Sequence, residues 1–66
     1  MLDVEINYCA QNWNKFLKRH EGKYLLIHRR DLIGAYDTHA IAYEEARKLF
    51  KVGTFLIEHC IVNQHI

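Results

Sequence analysis

The chain has no proline and no serine, and only three glycines and two cysteines among its 66 residues. The missing proline and scarce glycine exclude a flexible linker or a low-complexity segment. The missing serine removes one class of nucleophile outright. Two cysteines, Cys9 and Cys60, are too few for the disulfide framework that staples small secreted domains. They read as small apolar fillers kept reduced in the cytoplasm, with a single Cys9–Cys60 bridge as the other reading. No run is long enough to cross a membrane and no charged-then-apolar leader is visible, so a cytoplasmic protein without membrane contact is expected. A dominant charge is also lacking. Nine Lys and Arg stand against eight Asp and Glu, interspersed, which gives no strong pull toward nucleic acid or an anionic surface.

Apolar residues are plentiful, at half of the chain. The length allows one domain, residues 1–66, that buries only about 60% of the surface its unfolded chain exposes. Domains of this size lean on a disulfide, a metal or a partner. The apolar share exceeds what one small core easily hides, so surplus apolar surface is expected.

Local signals spell out a fold. Residues 1–10 are ambiguous. Leu2, Val4, Ile6 and Tyr8 alternate with polar residues as in a strand, while Leu2, Ile6, Cys9, Trp13, Phe16 and His20 follow helical spacing. From Gln11 to His20 the helix is clear, with Trp13, Phe16 and Leu17 on one face and Lys15, Lys18 and Arg19 on the other. Its start falls between Asp3 and Asn12, with Asp3, Asn7 and Asn12 as candidate caps. Gly22 suits its end. Tyr24 to Arg29 reads as a strand, Arg30 and Asp31 as a turn, and Leu32 to Tyr36 as the returning strand of a hairpin. Gly34 inside that strand marks a bulge or a close approach. Asp37 or Thr38 caps a second helix buried through Ala42, Ala46, Leu49 and Phe50, and Gly53 closes it. Thr54 to Val62 reads as the last and longest strand, with residues 63–66 as a frayed tail.

The expected class is α+β in the order α-β-β-α-β: a small three-stranded antiparallel or mixed sheet with two helices packed on one face. The first hairpin strand is expected in the centre, with the last strand antiparallel beside it. Phe55, Ile57, His59 and Ile61 point one way, and Leu56, Glu58, Cys60 and Val62 the other. Both sheet faces are therefore apolar, and two helices on one side leave the second face bare, as interaction surfaces are.

Gly22-Lys23-Tyr24 with Leu25-Leu26-Ile27, Ile33-Gly34, Asp37-Thr38, Glu45-Ala46 and Gly53-x-Phe55-Leu56-Ile57 together resemble a family of short, uncharacterised prokaryotic domains. The resemblance covers about the middle half of the chain and part of the first helix, and its elements are fold signals. The chain departs from that pattern where His39-Ala40-Ile41-Ala42 delays the Glu-Ala pair, and its hairpin turn lacks the usual glycine. The resemblance implies the fold and no activity.

The residues carry no recognisable catalytic or phosphate-binding motif. His28 and His59 are expected on neighbouring strands, with Cys60 and His65 nearby. Zinc needs three or four converging ligands, and no Cys-x-x-Cys or His-x₃-His spacing is present. Adjacent strand residues face opposite ways, so His59 and Cys60 cannot easily share an ion, and a Cys60 thiol with a histidine base meets the same obstacle. Ordinary histidines, no metal and no cofactor are expected. Basic residues gather at Lys15, Lys18 and Arg19 and at the hairpin's Arg29 and Arg30, the pattern of a small nucleic-acid binder, although such domains are usually basic overall.

The reading is therefore a non-enzymatic protein–protein interaction module, self-associating or docking to a larger protein as a small regulatory or accessory subunit, antitoxin- or inhibitor-like. Its expected interface is the bare sheet face, Leu26, Ile57, His59, Ile61 and Tyr36, or the edge of the last strand. The alternative is nucleic-acid binding through Lys15, Lys18, Arg19, Arg29 and Arg30.

Overall fold

Leu25, Leu26 and Ile27 are consecutive, and none of them has accessible surface. Successive residues of a strand point to opposite faces, so a strand with three buried neighbours must be covered on both sides. That requirement shapes the molecule. The computed structural model describes residues 2–62; the tail expected to fray, 63–66, lies outside them. The elements are α1 (Asp3–Gln11), α2 (Trp13–His20), β1 (Tyr24–His28), β2 (Asp31–Tyr36), α3 (His39–Leu49) and β3 (Leu56–His59). The sheet order is β2-β1-β3, and β1 pairs antiparallel with both neighbours. The α+β class, the central place of the first hairpin strand and the antiparallel last strand all hold.

The helices do not share one face. Cys9 of α1 and Phe16 of α2 pack with Leu25, Ile27 and Cys60, joined by Leu32, Ala35 and Leu56. Ala46 of α3 packs with Leu26 and Phe55, joined by Tyr36, Phe50 and Ile57. The sheet is thus enclosed between an α1–α2 layer and α3. The physical reason lies in β1, whose alternate residues are all large and apolar, so helices on one side alone would leave Leu26 in water. Burying such a side chain contributes about 1.5–3 kcal/mol.

The leading helix is in fact two, hinged at Asn12. The Asn12 N–H is shared between the carbonyls of Tyr8 and Cys9, each at 3.2 Å, and the Phe16 N–H reaches the Asn12 carbonyl at 2.9 Å. The Asn12 carboxamide also donates to the Tyr8 carbonyl at 2.9 Å, the local bonding by which asparagine competes with a regular helix. None of the expected side-chain caps operates at the two helix starts. Gly22, with φ of 90°, turns the chain from α2 into β1, a conformation that glycine adopts without strain.

A bulge in β2 explains an odd spacing. Leu26 pairs with Gly34 but Ile27 pairs with Leu32, so Ile33 is the extra residue. Leu32 and Ala35, three apart, thereby reach the same core. Gly34 meets both expectations for it. It sits at the bulge, and a Cβ there would lie 2.5 Å from the Tyr36 hydroxyl.

Thr38 caps α3, its Oγ1 accepting the Ile41 N–H at 3.1 Å, whereas Asp37 pairs with Lys23. The helix ends at Leu49, so Gly53 belongs to the following turn and not to the helix end. The last strand is the shortest, four residues, although the Gly22 N–H to Cys60 carbonyl and Cys60 N–H to Lys23 carbonyl bonds extend its pairing. Among the described residues, no helix is long and apolar enough to cross a membrane.

Candidate interaction surface

The sheet face expected to dock is occupied by α3. Leu26 is fully buried and belongs to the core. Ile57 and Tyr36, half-buried, pack against the Leu26–Ala46–Phe55 cluster. His59 stacks on Tyr24, with ring centroids 4.2 Å apart and 3° between planes. Ile61 lies past the end of β3, half-buried. Four of the five residues thus line a face already covered, because α3 supplies the partner for that face.

The histidines are kept apart. The register sets His59 against Tyr24, at the start of β1, while His28 ends that strand and stacks on Phe50 at 3.9 Å. His39 meets Tyr24 edge-on at 6.0 Å. These rings fasten α3 to the sheet at both ends. Among the described residues, no group of three or more His, Cys, Asp or Glu is arranged to hold a metal ion; His65 lies outside them. Cys9 and Cys60 are free and buried, in one core cluster. Burial, with the charges of Glu58 and Cys60 adding, pushes the Cys9 thiol up to about 12. Burial first, and then Glu21, raises Cys60 as well. Neither thiol is activated at neutral pH.

The opposite layer has a different character. From Ile6 to His20 the sequence holds no carboxylate residue but contains Lys15, Lys18 and Arg19, all exposed. The α3 layer balances its own charges through Arg47–Glu44 at 3.2 Å and Lys48–Glu45 at 3.6 Å. Among the described residues, Lys15, Lys18, Arg19 and Arg30 have no carboxylate in ion-pair range. The cations of α2 and Arg30 thus stand without ion-pair partners among the described residues, although Asp3, Glu5 and Glu21 lie in or beside the same layer.

The two basic groups are separated along the sheet. The end of α2 leads into the start of β1, and Arg29 and Arg30 follow its other end, about 17 Å away at roughly 3.3 Å per residue. Yet α1 runs back to the hairpin. Arg30 lines an open cleft of about 380 Å³ with Val4, Asn7, Tyr8, Gln11 and Asn12. Residues 4, 7, 8 and 11 share one face of α1, and Lys15 and Lys18 lie on α2, beyond the hinge at Asn12. Val4, which lines the cleft, is exposed. The surface is a strip of carboxamides, cations and a few apolar groups.

Glu5 fixes this strip to the hairpin. It is buried at 3% exposure, and its Oε2 accepts the Arg29 N–H at 2.8 Å. Arg29 has φ of 58°, so the carboxylate bonds the one left-handed non-glycine residue of the turn. That bond holds the Glu5 carboxyl below its ordinary value. The Glu5 N–H and the charges of Arg29 and His28 act in the same direction, and burial opposes them. The sequence reading treated Glu5 as a polar position in an alternating segment. Its four-residue spacing from Cys9 was the signal that it shares the buried stripe. The carboxamide strip was missed because Asn7 and Asn12 were considered only as caps.

No family model, curated protein or solved structure matches the chain. Its function is read from the surface just described.

Proposed function

We propose that the chain is a non-enzymatic protein–protein interaction module, a small cytoplasmic regulatory or accessory subunit that docks to a protein partner or to a second copy of itself. The observation that carries this reading is the α1–α2 side, where Arg30, carboxamides and exposed Val4 line a cleft and the cations of α2 have no carboxylate partner among the described residues. Such a mixture of polar rim and apolar contacts is the make-up of a transient protein interface. Two sheet edges add a second route, since β2 and β3 each pair on one side only. Both are blunted, β2 by its bulge and β3 by its length, which are usual protections against edge pairing. The helical side therefore takes precedence over the sheet.

A second reading draws on the same cations. Lys15, Lys18, Arg19 and Arg30 on one side favour nucleic-acid binding, with Arg29 at the adjoining turn. Light scattering on a sizing column, with absorbance at protein and nucleic-acid wavelengths, separates the two. The docking reading expects protein free of nucleic acid, as a monomer or a discrete oligomer. A peak carrying nucleic acid that is stripped by salt would establish the alternative, since phosphate contacts weaken steeply with ionic strength.

A further inference from the structure

We infer that the α1–α2 strip with Arg30 receives an acidic segment of a partner protein, one that carries apolar side chains between its carboxylates; this rests on the docking reading above. Charge complementarity supports this assignment. Lys15, Lys18, Arg19 and Arg30 have no carboxylates of their own among the described residues, whereas the cations of α3 do. A partner that brings carboxylates therefore displaces no existing ion pair. Arg30 stands at the cleft, and its planar guanidinium can take a carboxylate through two parallel bonds.

The cleft's other groups suit a peptide. Asn7 and Gln11 each offer a carboxamide that both donates and accepts, which matches the N–H and C=O of a peptide backbone. Val4, at 37% exposure, lines the same cleft and offers a contact to an apolar side chain. The aromatic rings disfavour nucleic acid as the occupant. Binding of single strands relies on open aromatic platforms. The rings on this side are only partly open: Tyr8 and Trp13, both half-buried, pack against the core cluster, and the Tyr8 ring tilts onto Phe16 at 6.0 Å.

The test is an NMR titration of the whole chain with a synthetic peptide of glutamate and leucine at helical spacing. Parallel titrations use the same peptide with lysine for glutamate, and a thymidine oligonucleotide. The expected result is saturable binding of the acidic peptide alone, weakened by salt, with shifts at Val4, Asn7, Gln11, Lys15 and Arg30. Lys15→Glu with Arg30→Glu should lower its affinity by about tenfold, from two exposed charge pairs reversed, without changing the melting temperature. No binding at low salt, shifts centred elsewhere, or tighter binding of the oligonucleotide would overturn the inference. If the acidic peptide fails while the protein elutes as a nucleic-acid-free oligomer, the partner's chemistry falls and the docking reading stands. Nucleic acid in that peak removes both.

Discussion

Glu5 carries a charge in the core, and a buried charge is tolerated only when its oxygens are bonded. Its bond to the Arg29 N–H ties α1 to the hairpin turn. Glu5→Ala removes that acceptor and should cost about 1–3 kcal/mol in denaturant unfolding, the loss expected for a hydrogen bond to a charged group. The carboxyl lies below its ordinary value of 4.5 in the folded state. Its contribution is therefore complete above that value and is lost as pH falls through the folded one. Melting temperatures of the wild type and Glu5→Gln should converge in acid below 4.5; a constant gap would refute the assignment. Gly34 makes a second test. Any Cβ there meets the Tyr36 ring, at 2.5 Å from its hydroxyl and 2.8 Å from Cζ. Gly34→Ala should cost about 1–3 kcal/mol, as overpacking does, and Gly34→Ala with Tyr36→Leu should recover much of the loss.

At the scale of elements, α3 decides what the sheet can do. Leu26→Ala should cost about 2–5 kcal/mol in denaturant unfolding, since it opens a cavity beneath Ala46. Lys18→Glu with Arg19→Glu, in the exposed last turn of α2, should cost about 0.5–2 kcal/mol, because the helix dipole favours positive charge there. Equal small effects from the two would mean that α3 is not seated as described. The same element marks where sequence reasoning succeeded and where it stopped. Helix α3 was legible from Ala42 and Ala46 at a spacing of four, and the hairpin from two apolar runs with a short turn. The face that α3 covers was not legible, because Leu25 and Leu26 are equally apolar and nothing local distinguishes their sides. The short β3 was hidden for a related reason. Thr54 to Val62 is apolar throughout, yet only Leu56 to His59 find ladder positions against a five-residue β1. The surface strip was half legible. Its cations were noted, while the role of Arg30 depended on α1 running back to the hairpin, a contact 24 residues apart in sequence.

The whole molecule is a sheet enclosed by helices, with its charges nearly balanced in total and with the cations of α2 and Arg30 lacking carboxylate partners among the described residues. The apolar surplus read from composition does not form a bare face; most of it is spent on enclosing β1 twice. Exposed apolar side chains remain on α1 (Val4, Ile6) and also on and just after α3 (Ile41, Tyr43, Leu49, Val52), and docking through the α1–α2 side depends on α3 staying closed over Leu26. Native-state hydrogen exchange across a denaturant series tests that directly. If the sheet is permanently enclosed, Ala46 and Arg47 of α3 should exchange with the same opening free energy as Leu25, Leu26 and Ile27, as members of one cooperative unit. If the α3 amides open at far lower cost while β1 stays protected, the sheet face is available after all, and docking through Leu26 and Ile57 would replace docking through the α1–α2 side.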